Sequence, residues 1–195
     1  MNQDQQIAWL RFWYAPWRDM APSWKTWLCD TSALRADDWS ESLMRSVAPH
    51  QLRQRFGIEW NEAPTPDPTL SLWLCSEASQ KHRACHLAGE MIQRGSAQAQ
   101  LTPEDIEWCR HIAKALRPAN WMTQSVLSLP SHCLGLWLFK QWVDDGFWQR
   151  SQLLFPRQWS LALEPYPNTP LPVNRLKPLW HSIVWRLDSP LIREQ

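Results

Sequence analysis

From Leu70 to Arg94 the apolar side chains fall at Leu74, Cys75, Ala78, Cys85, Ala88, Met91 and Ile92, largely three or four residues apart. That spacing predicts a helical segment, and Gly95 supplies a C-terminal stop. The next start is the clearest in the chain. Thr102 as N-cap, Pro103 at the first helical position and Glu104 and Asp105 in the first turn precede a stripe of Ile106, Cys109, Ile112, Ala113 and Leu116, which ends at Arg117-Pro118. Ser131 is the expected cap of a third helix. Its body, Cys133 to Val143, is apolar nearly all round, which predicts a central buried helix over Cys133 to Asp145, stopped by Asp144-Asp145-Gly146. Shorter helices are expected near Trp24 to Cys29, Asp38 to Val47, Phe147 to Phe155 and Lys177 to Leu187.

The N-terminal pattern supports two readings. Trp9, Trp13 and Trp17 have helical spacing, but Pro16 breaks such a helix before the third ring, and Leu10 to Tyr14 fits a short strand equally well. We treat this stretch as a packed aromatic arm. Its rings close the core in one reading and form an exposed docking surface in another, with membrane-interface anchoring the least favoured of the three.

Proline places the boundaries. The runs Ala63 to Pro68 (APTPDP) and Pro165 to Pro172 (PYPNTPLP) read as extended linkers or surface loops. They divide an aromatic N-terminal part, 1–62, from a helical core, 63–164, and from a proline-rich loop with a C-terminal helix, 165–195. Length and pattern together predict a mainly α, single compact helical domain with proline-rich loops and, at most, a short N-terminal strand or arm.

Sixteen tryptophans in 195 residues change that picture most. At roughly 150–250 Å² per ring, most of them must form core, and those left outside are contact points, because tryptophan is enriched at interface hot spots. Twenty basic residues against nineteen acidic ones leave a net charge of +1, which provides no broad field for a polyanion and disfavours nucleic acid. Met1 to Gln6 lacks the pattern of a signal peptide, and no stretch approaches about 20 uninterrupted apolar residues, so a cytoplasmic chain without direct membrane insertion is expected. Five dispersed cysteines (Cys29, Cys75, Cys85, Cys109 and Cys133) suit buried reduced thiols better than a disulfide framework.

Catalytic chemistry is hard to seat. His82 and His86 share a helix face, with Cys85, Cys109 and His111 as further candidate ligands, but the HExxH glutamate is missing and Cys85 projects about 100° away from His86. Neither a metal site nor a cofactor is expected. There is no GxSxG elbow and no glycine-rich phosphate loop, since Gly57, Gly89, Gly95, Gly135 and Gly146 stand isolated. Arg45, Arg53, Arg55, Phe56 and Trp60 interleave bases with rings. A solvated helix face and a protein-docking rim both fit that run, and Glu59 and Glu62 weaken a nucleic-acid reading.

Four blocks carry a family resemblance: LRFWYAPWRDMAPSW (Leu10 to Trp24), LWLCSEASQKHRACHLAGEMIQRG (Leu72 to Gly95), LTPEDIEWCRHIAKALRP (Leu101 to Pro118) and LGLWLFKQWVDDGFWQRSQLLFPRQW (Leu134 to Trp159). Their order over residues 9–160 resembles the SctK/YscK family, cytosolic sorting-platform accessory proteins of bacterial type III secretion systems. The resemblance implies a non-enzymatic adaptor. It would link the cytoplasmic domain of the inner-membrane ring protein SctD to the pod protein SctQ, and through it to the stator SctL and the ATPase SctN. No catalytic residue follows from it. From the residues themselves, the candidate protein-binding positions are Arg53, Arg55 and Trp60, with Trp9 and Trp13 of the aromatic arm. The rival classes are an enzyme, hydrolase or transferase, whose motif is unreadable, and a nucleic-acid module. A deep polar pocket with a strongly perturbed titratable group would mark the first.

Overall fold

Helices make up every regular element among residues 3–31, 48–166 and 168–188, which are those the computed structural model describes. The helix expected over Asp38 to Val47, and Arg45 with it, lies outside these residues. The described chain forms helices α1 (Gln3–Tyr14), α2 (Pro22–Thr31), α3 (Pro49–Phe56), α4 (Pro68–Cys75), α5 (Ala78–Ile92), α6 (Pro103–Leu116), α7 (Ser131–Trp142), α8 (Asp145–Ser151), α9 (Arg157–Leu161) and α10 (Val173–Asp188). Contacts group the chain into two compact units, residues 1–66 with 144–158 and residues 67–143 with 159–195.

In the first unit the N-terminal stretch is a helix, not a strand. Helical spacing prevails because Pro16 falls beyond Tyr14: α1 ends before it, and Pro16 instead opens a short 3-10 turn, Pro16–Asp19, that carries Trp17 inward. Trp9 and Trp13 stack one turn apart, 6.3 Å between centroids, and Phe12 packs 4.8 Å from Phe147 of α8. A second cluster gathers Trp17, Met20, Trp24, Leu28, Leu52, Phe56, Ile58 and Leu153. The Trp24 indole donates to the Phe155 carbonyl at 3.0 Å, so burial leaves its one polar atom satisfied.

The second unit is built round α7. Leu134, Leu136, Trp137, Leu138 and Phe139 are fully buried, as a surface apolar nearly all round predicts. The helix begins at the expected cap itself, one residue early: Pro130 holds the N-cap position, and the Ser131 hydroxyl turns to His86 Nδ1 at 3.4 Å. It ends at Trp142, and Asp144 caps the following helix, accepting from Phe147 N at 2.7 Å. Against α7 lies α5, and the two backbones meet at glycines. A Cβ on Gly135 would overlap the Cys85 carbonyl of α5, and one on Gly89 would overlap the Ser131 carbonyl of α7. Trp73 of α4 stacks on Phe139 at 4.5 Å, and Trp180 of α10 packs 5.2 Å from the same ring.

The helical segment expected over Leu70 to Arg94 is two helices. Between them Glu77 and Gln80 form a capping box, with Glu77 N donating to Gln80 Oε1 at 3.1 Å, and this local pairing starts α5 afresh. Buried Lys81 seals the break, donating to the Leu74 and Ser76 carbonyls. At the far end α5 stops at Ile92, and the chain folds back round Glu90, whose carboxylate accepts from Gly95 N at 2.7 Å and Ala97 N at 3.0 Å. Gly95, at φ 83, serves that turn. The α6 start is as expected, with Thr102 Oγ1 accepting from Asp105 N at 3.2 Å. Asp105 itself is buried between two guanidiniums, Arg83 of α5 at 2.7 Å and Arg186 of α10 at 3.2 Å, and so ties three helices at one point.

Candidate docking surface

The surface that carries Trp60 starts from a turn. Helix α3 ends at Gly57, whose φ of 63 suits glycine, and Ile58 N donates back to the Arg53 carbonyl at 2.8 Å. Ile58 then points into the core while Glu59, Trp60 and Asn61 run outside. A strip without regular structure would wander unless its backbone were held, and here it is held along its length. Glu59 N donates to Gln149 Oε1 at 3.0 Å, the Trp13 indole to the Asn61 carbonyl at 3.1 Å, Ala63 N to the Tyr14 hydroxyl at 3.2 Å, and the Trp9 indole to the Pro64 carbonyl at 3.1 Å.

Arg150 of α8 completes the clamp from inside. Only 1% exposed, it donates to the carbonyls of Trp13 (2.7 Å), Gly146 (2.7 Å) and Glu59 (3.0 Å) and to Asn61 Oδ1 (3.0 Å), with its guanidinium 4.1 Å from the Trp13 ring centroid. Burial first, and the positive Arg53 nearby, push it down to about 10, while Asp144 and Tyr14 act in the other direction. It therefore stays charged at neutral pH, solvated by carbonyl oxygens instead of water.

On this base Trp60 stands out with 64% of its surface exposed. The Arg53 guanidinium lies 4.5 Å over its ring and Tyr14 packs 5.5 Å from it, which limits the side chain's freedom before any partner arrives. Arg55 lies 5.9 Å from the half-buried Trp27, whose ring Arg157 also approaches, at 5.0 Å. Arg53, Arg55 and Trp60 thus flank the end of one helix. Trp9 and Trp13 do not join them. Both rings are buried, and their indole N–H groups hold the strip that displays Trp60, so the aromatic arm positions the surface without being part of it. Arg150 was not singled out by sequence reasoning, because its partners come from residues 13, 59, 61 and 146 and leave no local pattern.

The other candidate chemistry is placed differently. His82, His86 and His132 pack round Trp159 at 4.8, 6.2 and 4.4 Å between centroids. Burial, and then the charges of His132 and His82, hold His86 down at about 4, and burial lowers His82 and His132 as well. Cys85, by contrast, is buried against the α7 backbone, and desolvation pushes its thiol well up. Cys109 donates to the Leu87 carbonyl at 3.5 Å and is pushed up to about 12, chiefly by burial, while His111 pairs with Glu107 at the surface. Among the described residues no three His, Cys, Asp or Glu side chains converge as a metal ion would require. Cys75 departs from the expectation of buried thiols: it is exposed, at the end of α4. No described helix is long and apolar enough to cross a membrane. Comparison with known proteins finds no matching family model, no matching curated protein and no matching solved structure.

Proposed function

We propose that this chain is a non-enzymatic adaptor of a bacterial type III secretion sorting platform, working at the cytosolic face of the inner membrane when assembled. It docks protein partners through Trp60, Arg53 and Arg55, linking the SctD cytoplasmic domain to SctQ and thereby to SctL and SctN. One observation carries the docking part of this reading: Trp60 is 64% exposed, yet its neighbours Glu59 and Asn61 are held by Arg150 and its ring by Arg53 and Tyr14. A large ring kept rigid in water without a partner gains little, whereas a pre-ordered tryptophan beside arginine is the composition of an interface hot spot. The identity of the partners rests on the order of the four sequence blocks.

The test pairs binding with physiology. Purified protein is expected to retain the SctD cytoplasmic domain and SctQ in pull-downs, and a deletion strain is expected to stop secreting. Trp60→Ala and Arg53→Ala should weaken binding by about tenfold or more each while leaving circular dichroism unchanged. Normal secretion without the protein, or retention of neither partner, would overturn the adaptor reading. Parental binding by both variants would overturn this placement of the surface.

A further inference from the structure

A second exposed tryptophan lies in the second unit. Trp185 is 76% exposed on α10, and Val173, 69% exposed, stands at the other end of the same helix. Two adjoining depressions, of about 490 and 790 Å³, run along this face and share His181 and Ser182. The first is walled by Trp108 and Ile112 of α6 and by Trp185, and the second by Val173, Lys177 and Pro178. Together they form one groove beside α10. Asn174 to Trp185 is twelve residues of helix, about 17 Å from end to end, which is the length of a three-turn helical segment.

The groove is framed, not accidental. Arg186 bonds to buried Asp105 of α6 at 3.2 Å and lies 5.8 Å from the Trp108 ring, so the α6 and α10 walls are pinned together at one end. His181 is fixed by Thr69 Oγ1 at 2.9 Å. Among the described residues the ionisable side chains that line it are Lys177, His181 and Arg186, all of them nitrogen bases. Asp105, which Arg186 contacts, is fully buried and already shared by two guanidiniums.

We propose that this groove is a docking site for an acidic amphipathic helix of a partner protein. The partner's apolar stripe would lie between Trp108, Ile112 and Trp185, and its carboxylates would meet Lys177 and Arg186. Apolar walls recognise residues repeating at i, i+4 and i+7, and the basic lining selects the sign of the flanking charge. This site is independent of the Trp60 surface and of the secretion reading.

The test uses a fluorescently labelled synthetic peptide of about four helical turns, leucine on one face and glutamate on the other, and a twin with lysine in place of glutamate. Fluorescence anisotropy with the full chain is expected to show saturable binding of the acidic peptide only. Trp185→Ala should weaken it by about tenfold or more, as loss of a hot-spot ring does. Lys177→Glu should weaken it too and raise affinity for the lysine twin, a reversal that simple unfolding would not produce. Trp60→Ala should bind the peptide like the parent, which separates this site from the first. Equal binding of both peptides, binding of neither, parental affinity in Trp185→Ala, or a Trp185-dependent dimer in sedimentation, which would make the occupant a second copy of the chain, would each overturn the proposal.

Discussion

Arg150 bonds to Trp13 twice over: its Nε donates to the Trp13 carbonyl at 2.7 Å, and its guanidinium lies 4.1 Å from the ring of the same residue. A buried cation satisfied by three carbonyls and one amide oxygen is unlike a buried ion pair, because no carboxylate is lost with it. Replacing Arg150 by methionine leaves those acceptors inside without donors, at about 1–3 kcal/mol each where water does not reach them. We expect Arg150→Met to lose about 3 kcal/mol or more in urea denaturation, and Arg150→Lys to recover only part, since an ammonium does not reproduce the planar fork. A loss below about 1 kcal/mol in Arg150→Met, the size of an ordinary substitution, would show that the clamp is dispensable.

Gly135 gives a prediction whose sign opposes helix propensity. Alanine in place of glycine inside a helix normally stabilises it by up to about 1 kcal/mol. Here the added methyl would strike the Cys85 carbonyl, which belongs to a backbone and cannot rotate aside. Gly135→Ala should therefore destabilise by about 1–3 kcal/mol or more, read as a lower melting temperature. Stabilisation would mean that α5 and α7 are further apart than described.

Asp105 sits fully buried between Arg83 and Arg186. Removing the carboxylate leaves two guanidiniums facing one another in a desolvated place, so Asp105→Ala should cost about 3–5 kcal/mol. Double-mutant cycles with Arg83→Met and Arg186→Met would check this, and the three residues are expected to be strongly non-additive. Additive losses would mean that the triad contributes nothing as a unit.

The histidines round Trp159 set an acid limit. His86 is held at about 4 against an ordinary value of 6.5, and His82 and His132 are lowered in the same direction. The folded chain keeps them neutral, while the unfolded chain takes up protons near 6.5, so the proton uptake accompanies unfolding. Stability is then whole above about pH 6.5 and falls as pH drops toward about 4. Urea midpoints measured across that window should decline in the parent and decline less steeply in His86→Gln. Parallel profiles for the two proteins would remove His86 from the account.

What could be read from the chain was whatever is decided locally. Thr102-Pro103-Glu104-Asp105 announces a helix start from four consecutive residues, and the surface of α7, apolar nearly all round, announces burial whatever surrounds it. The break at Ser76-Glu77 was hidden because the helical spacing of Cys75 and Ala78 spans it, although Glu77 and Gln80 carry a capping-box spacing that could have revealed it. The site was legible only in part. Arg53 and Trp60 are close in sequence and meet through one glycine turn, so their interleaving was a usable signal. The choice between core and docking surface for Trp9 and Trp13 was open in the sequence because helical spacing tells which rings share a face, not whether their indole N–H groups will find carbonyls 55 and 48 residues away. Arg150 and the groove beside α10 depend entirely on such distant meetings.

The two glycines at the crossing of α5 and α7 have a consequence in time as well as in packing. Each lies against the other helix's backbone, so sliding by one turn would drive a side chain into the space that only hydrogen fills. Small, graded openings of that pair are closed off. The amides of Cys85 to Gly89 and of Gly135 to Phe139 should then exchange with solvent only when the whole unit opens, making this crossing the slowest clock in the molecule while the ends of α1 and α10 run fast.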